Sequence, residues 1–152
     1  MNKKILLFLV LIFFLTACKS NDLELQKTAK NEAWTTEAEL ENIIDRFDSP
    51  NHYFIDLRPA NKYREGYIKN FVNLDRDTTL KTYLDKTAKW SYIVVMAESI
   101  EAASEATSFL EGLGFYNLKS IQMENEQVLN YFQNLALIEI IEDNDVCPPG
   151  GC

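Results

Sequence analysis

The chain has 152 residues, with 23 aspartates and glutamates against 15 lysines and arginines, a formal charge of −8 and one histidine. Such an acidic balance excludes nucleic-acid binding through a basic surface. One histidine, with three cysteines confined to the chain ends, excludes zinc fingers, His-rich metal sites and a Cys/His nucleophile pair in the domain core.

Lys3 and Lys4 precede an unbroken apolar run, Ile5 to Leu15. That run is shorter than the roughly twenty residues needed to span hydrocarbon, so it reads as the core of an export signal. It ends in Leu15-Thr16-Ala17-Cys18, which resembles the bacterial lipobox. The resemblance implies cleavage after residue 17 and a diacylglycerol on the Cys18 thiol. Lipidation would hold the protein at a membrane of the bacterial cell envelope, outside the cytoplasm. Each buried acyl methylene contributes about 0.8 kcal/mol to such an anchor. Cleavage removes two lysines, leaving thirteen basic residues against 23 acids. Anionic lipid therefore repels the mature chain as a whole, and the acyl chains must do the holding. Residues 18–32 are polar and aperiodic, and are expected to be a tether.

Trp34 marks a short first strand. Thr36 and Glu39 have capping-box spacing, and Leu40, Ile43, Ile44 and Phe47 follow at helical spacing up to Ser49-Pro50. His52, behind Pro50-Asn51, is expected in an exposed turn. Tyr53 to Leu57 reads as a buried strand, 59–67 as a loop or short helix, Phe71 to Leu74 as a strand and 78–86 as a helix. Tyr92 to Met96 is continuous and β-branched, as a central parallel strand buried on both faces should be. A helix through Ala102, Ala106, Phe109 and Leu113 closes at Gly114. A strand over 116–121 and a helix over 124–135 follow, and 135–141 fits either continued helix or strand. Alternating strands and helices predict an α/β domain over 33–142 with a mostly parallel sheet and helices on both faces.

The run Ile55-Asp56-Leu57-Arg58-Pro59, then Tyr63, Gly66-Tyr67-Ile68 and Val72-Asn73-Leu74, resembles the rhodanese family. Tyr67 stands where that family usually has histidine. The strand, turn and helix from Ile93 to Leu113-Gly114-Phe115 fit the same family. The resemblance implies a rhodanese-like fold over roughly residues 34–122. It also implies sulfane-sulfur transfer through a cysteine persulfide, held in a loop between the central strand and the next helix. The family's spacing back from Leu113-Gly114-Phe115 places that cysteine position at Ala97.

Ala97 carries no sulfur. The corresponding loop is Ala97-Glu98-Ser99-Ile100-Glu101-Ala102. Glu98 and Glu101 place negative charge where an anionic sulfur donor would approach, and Ala102 stands where active members often have arginine. Ser99 lacks an adjacent base and is expected to cap the loop. By the resemblance, Asp56 and Arg58 form a buried pair bracing the loop ends. No metal or cofactor is implied.

The chain closes with Cys147-Pro148-Pro149-Gly150-Gly151-Cys152. Proline stiffens the entry and glycine permits positive φ, so an intramolecular disulfide fits in an oxidising compartment. A dithiolate site for Cu(I) or Zn(II) fits the same residues. Two functional readings follow. One is a membrane-anchored, rhodanese-like protein without sulfurtransferase activity that binds a protein or small ligand. The other is a thiol-redox or sulfur-handling protein that uses Cys147 and Cys152.

Overall fold

The computed structural model describes residues 31–76 and 78–141; Cys18, Cys147 and Cys152 lie outside the described residues. In chain order the elements are β1 (Glu32–Trp34), α1 (Glu37–Ile44), β2 (His52–Asp56), α2 (Ala60–Glu65), β3 (Tyr67–Ile68) and β4 (Val72–Asn73). They continue as α3 (Thr78–Tyr83), β5 (Tyr92–Met96), α4 (Ile100–Gly112), β6 (Leu118–Ile121), α5 (Asn125–Asn134) and β7 (Ile138–Glu139). Five strands form one sheet in the order β1-β6-β5-β2-β4, and every pair is parallel. β3 and β7 form a separate antiparallel pair.

Strand side chains alternate between faces, so the sheet separates two cores. Phe54, Val94 and Met96 meet Leu40 and Ile43 of α1 and Val128 and Phe132 of α5. Ile55, Ile93 and Val95 meet Leu80 of α3 and Ala106 and Leu110 of α4. All five residues of β5 are buried, which its unbroken apolar run requires of the middle strand. This is the expected α/β architecture, with helices on both faces.

Local chemistry sets the helix ends. The Glu39 carboxylate accepts from the backbone N–H of Thr35 at 2.8 Å and of Thr36 at 3.0 Å, starting α1. At the end of α4, Gly114 takes φ 91°, and Phe115 N–H donates to the Leu110 carbonyl at 3.1 Å. That left-handed turn is why glycine stands there. After α5, Ala136 adopts φ 56° and turns the chain into β7. The ambiguous stretch 135–141 is thus neither continued helix nor a long strand.

Three expectations need correction. The tether expected to run through residue 32 ends earlier, because Glu32 already pairs with Lys119 in the sheet. The Glu32 carboxylate also lies 3.3 Å from Lys119 Nζ, and the Asn31 side chain accepts from Leu118 N–H at 2.9 Å. The helix expected over 78–86 is regular only to Tyr83. His52 is the first residue of β2 and half-buried, not an exposed turn residue. Its ring lies 4.9 Å from that of Tyr92, and Nδ1 is 2.8 Å from the Pro50 carbonyl. A carbonyl only accepts, so Nδ1 carries the proton and Nε2 faces Arg46 Nη1 at 3.4 Å.

Candidate functional site

Parallel sheets present their ligand sites at the carboxyl ends of the strands. Here the ends of β2 and β5 are neighbours, with Asp56 opposite Met96 and Leu57 N–H donating to the Met96 carbonyl at 2.8 Å. Ala97 follows Met96 directly and is 4% exposed.

The turn from β5 to α4 contains only Ala97, Glu98 and Ser99, because Ile100, Glu101 and Ala102 already lie in the first turn of α4. The six-residue loop expected from sequence is therefore half helix. Ser99 is the cause. Its backbone is extended, its hydroxyl accepts from Ala102 N–H at 3.2 Å, and its carbonyl accepts from Ala103 N–H at 3.0 Å. One otherwise unpaired donor of the helix start, the Ala102 N–H, is thereby occupied within the protein, and the Ala103 bond is the first regular one of the helix. The Glu98 carbonyl accepts from the Asn125 side chain at 2.9 Å, tying the turn to α5.

Asp56 and Arg58 are both buried and face each other. Arg58 Nε lies 3.0 and 3.1 Å from the two carboxylate oxygens, and Nη2 lies 2.7 Å from Oδ2. Nη2 also donates to the Gly66 carbonyl at 2.9 Å, closing the segment that contains α2. Asn73 Nδ2 donates to the carbonyls of Asp56 (2.9 Å) and Arg58 (2.8 Å). The pair thus braces the turn from β2 to β3. Its hydrogen bonds run to Gly66 and to its own backbone.

A cleft of about 470 Å³ opens beside the turn, lined among others by Arg58, Lys62, Glu65, Glu98, Asn125 and Glu126. Its two cations already face carboxylates: Arg58 faces Asp56, and Lys62 Nζ lies 3.0 Å from Glu65. Glu98 and Glu126 tip the lining negative. The cleft suits a cationic or neutral group better than an anionic sulfur donor.

Tyr67, at the family's histidine position, lies on β3. Its hydroxyl donates to Glu139 at 2.7 Å, and its ring stacks on Tyr63 with centroids 4.4 Å apart. The Tyr63 hydroxyl donates to the Phe71 carbonyl at 2.7 Å; burial, and then Tyr67, push its pKa well above the usual phenol value. Asn73 belongs to the motif quoted from the sequence, whereas Asn125 went unremarked there. Asn125 is one amide acting across the fold, and no spacing announces such a residue. Among the described residues no group of three or more His, Cys, Asp and Glu is placed to hold a metal ion. No helix among them is long and apolar enough to cross a membrane.

Comparison with known proteins agrees with this geometry. The rhodanese-like domain family profile matches residues 36–124. The solution structure of a rhodanese-like domain from Anabaena sp. is similar at 17% identity with a TM-score of 0.54, covering 80% of this chain and 86% of that one. A Bacillus halodurans protein gives 17% identity and a TM-score of 0.54, over 80% and 85% of the two chains. No curated protein sequence matches significantly.

Proposed function

Because the chain belongs to the rhodanese-like domain family, we propose that it is a non-catalytic member, anchored to an envelope membrane through Cys18, that binds a protein or small ligand at the cleft beside Ala97. The observation that carries this reading is Ala97 itself. A persulfide needs a thiolate, and this position has only a methyl group. Ser99 supports the same reading by occupying the Ala102 N–H, a helix-start donor that would otherwise be open to an anion. The lining carboxylates favour a ligand with an ammonium or guanidinium group.

The test is thiosulfate:cyanide sulfurtransferase assay of the purified protein, with thiocyanate expected at background. Turnover that is lost in Cys147→Ser or Cys152→Ser would overturn the reading. Mass spectrometry of protein from native membranes tests the anchor; an unmodified Cys18 would sink it.

One observation favours the second reading, thiol or sulfur handling by the tail. Ile141 N–H donates to the Arg64 carbonyl at 3.3 Å, and Gly66, two residues on, lines the cleft. Cys147 lies six residue steps beyond Ile141, and such a segment reaches at most about 20 Å. Replacing both terminal cysteines by serine should abolish function on this reading and leave it intact on the first.

A further inference from the structure

We propose that residues 81–90, at the amino end of the sheet, form a lipid-contacting face that lies against an anionic membrane surface; this rests on the lipid anchor at Cys18. All five strands of the main sheet are parallel, so one end of the domain gathers every strand start. β1 begins there at Glu32, and the chain leads back from it towards Cys18.

The charge is divided between the two ends. Among the described residues, the segments joining strand ends to helix starts (35–37, 57–60, 74–78, 97–101 and 122–126) carry six carboxylates and two guanidiniums. Both guanidiniums face carboxylates, Arg58 with Asp56 and Arg76 with Glu105. The segments at the amino end (45–51, 84–91 and 113–117) carry three acids and three bases. An anionic surface therefore repels the cleft end and leaves the amino end free to approach. The tether, thirteen residue steps from Cys18 to Asn31, reaches about 45 Å when extended and does not itself choose a face.

The strip chooses it. Lys81-Thr82-Tyr83-Leu84-Asp85-Lys86-Thr87-Ala88-Lys89-Trp90 sets three lysines and two aromatic rings against one acid, in a chain that is otherwise strongly acidic. Trp90 is 48% exposed and Tyr83 is 38% exposed. Lys81, Tyr83 and Lys86 line one shallow hollow of about 860 Å³ with Phe109. Amphipathic rings with lysines beside them suit the headgroup layer, where the ring meets acyl carbon and the ammonium meets phosphate. Ile140 is more exposed still, but it is a lone aliphatic side chain beside Ile141, which bonds Arg64.

The chain's two tryptophans make the test direct, because Trp34 is 3% exposed and lies in the core. Full-length lipidated protein is reconstituted in phosphatidylcholine–phosphatidylglycerol vesicles with brominated acyl chains, and the vesicles are floated. Emission should fall about twofold relative to unbrominated vesicles, as for an indole at the interface. Trp90→Phe should leave an emission that bromine does not change. Lys86→Glu with Lys89→Glu should remove the quenching while the protein still floats. Floating protein with unquenched Trp90 overturns the lipid face, leaves the anchor standing and gives the strip to an acidic protein partner. Protein that does not float overturns anchor and face together.

Discussion

Arg58 and Asp56 lie two residues apart in sequence and close on each other through Nε and Nη2, inside a part of the protein that excludes water. Because Nη2 also holds the Gly66 carbonyl, one guanidinium fixes both the end of β2 and the chain after α2. Arg58→Ala leaves a buried carboxylate without its cation and should destabilise the fold by about 3–5 kcal/mol. Asp56→Ala combined with Arg58→Ala should cost less than the sum of the single changes. Denaturant midpoints in a double-mutant cycle measure the coupling, expected near 2 kcal/mol. Additive single changes would show that the pair is not a unit.

The turn after β5 can be rebuilt towards catalysis. Ala97→Cys restores the sulfur, but Glu98 and Glu101 remain and Ser99 still occupies the N–H of Ala102. Sulfurtransferase activity of this variant should stay close to background. Adding Glu98→Arg and Ala102→Arg should raise it, by reversing the local charge and supplying an anion-binding fork. High activity from Ala97→Cys alone would mean that the acidic residues do not obstruct the donor.

Glu39 links helix α1 to pH. The backbone bond from Thr35, and then the Thr36 hydroxyl, hold its pKa below the ordinary 4.5. A carboxyl whose folded pKa is depressed contributes stability above its unfolded pKa and loses it as pH falls through the folded value. Glu39→Gln should therefore melt earlier than wild type at pH 7. The gap should narrow as pH drops below about 4.5 and close once the folded-state carboxyl is protonated. Thermal melts of the two proteins across that range test the sign; a gap that widens on acidification would refute it.

Ala136 at φ 56° bears the penalty of a side chain in the left-handed region. That penalty is about 1–2 kcal/mol, and glycine's extra freedom in the unfolded chain offsets part of its removal. Ala136→Gly should gain about 0.5–1 kcal/mol, visible as a rise of a few degrees in melting temperature. Loss of stability would show that the Ala136 methyl makes packing contacts worth more than the strain.

What could be read from the sequence follows from how local each signal is. β5 announced itself because a strand buried on both faces must be apolar throughout, and α1 because Thr36 and Glu39 stand three residues apart. The assignment of Ala97 to the family's cysteine position rests on the family's spacing back from Leu113-Gly114-Phe115, a count along the chain that needs no tertiary contact. β3 and β7 have two residues each, too few to show any period. His52 was misplaced because its position depends on Tyr92 and Arg46, forty and six residues away. The half-helical turn after Ala97 turned on the Ser99 hydroxyl, whose capping role was expected, but the shortening of the loop that follows was not.

The pairing of β1 with β6 imposes an order on folding. Glu32 and Lys119 are neighbours in space but 87 residues apart in the chain, and β1 borders no other strand. A chain emerging amino end first makes β1 long before it makes the strand that receives it. Until residues 118–121 arrive, Trp34 has no sheet to pack on and its backbone has no ladder. Closing so long a loop is entropically unfavourable before contacts reward it, so β1 docks after the β2–β5–β6 centre has assembled. During that interval the chain carries an exposed tryptophan and an unpaired strand edge. Trp34 emission is then a clock for the last step of folding.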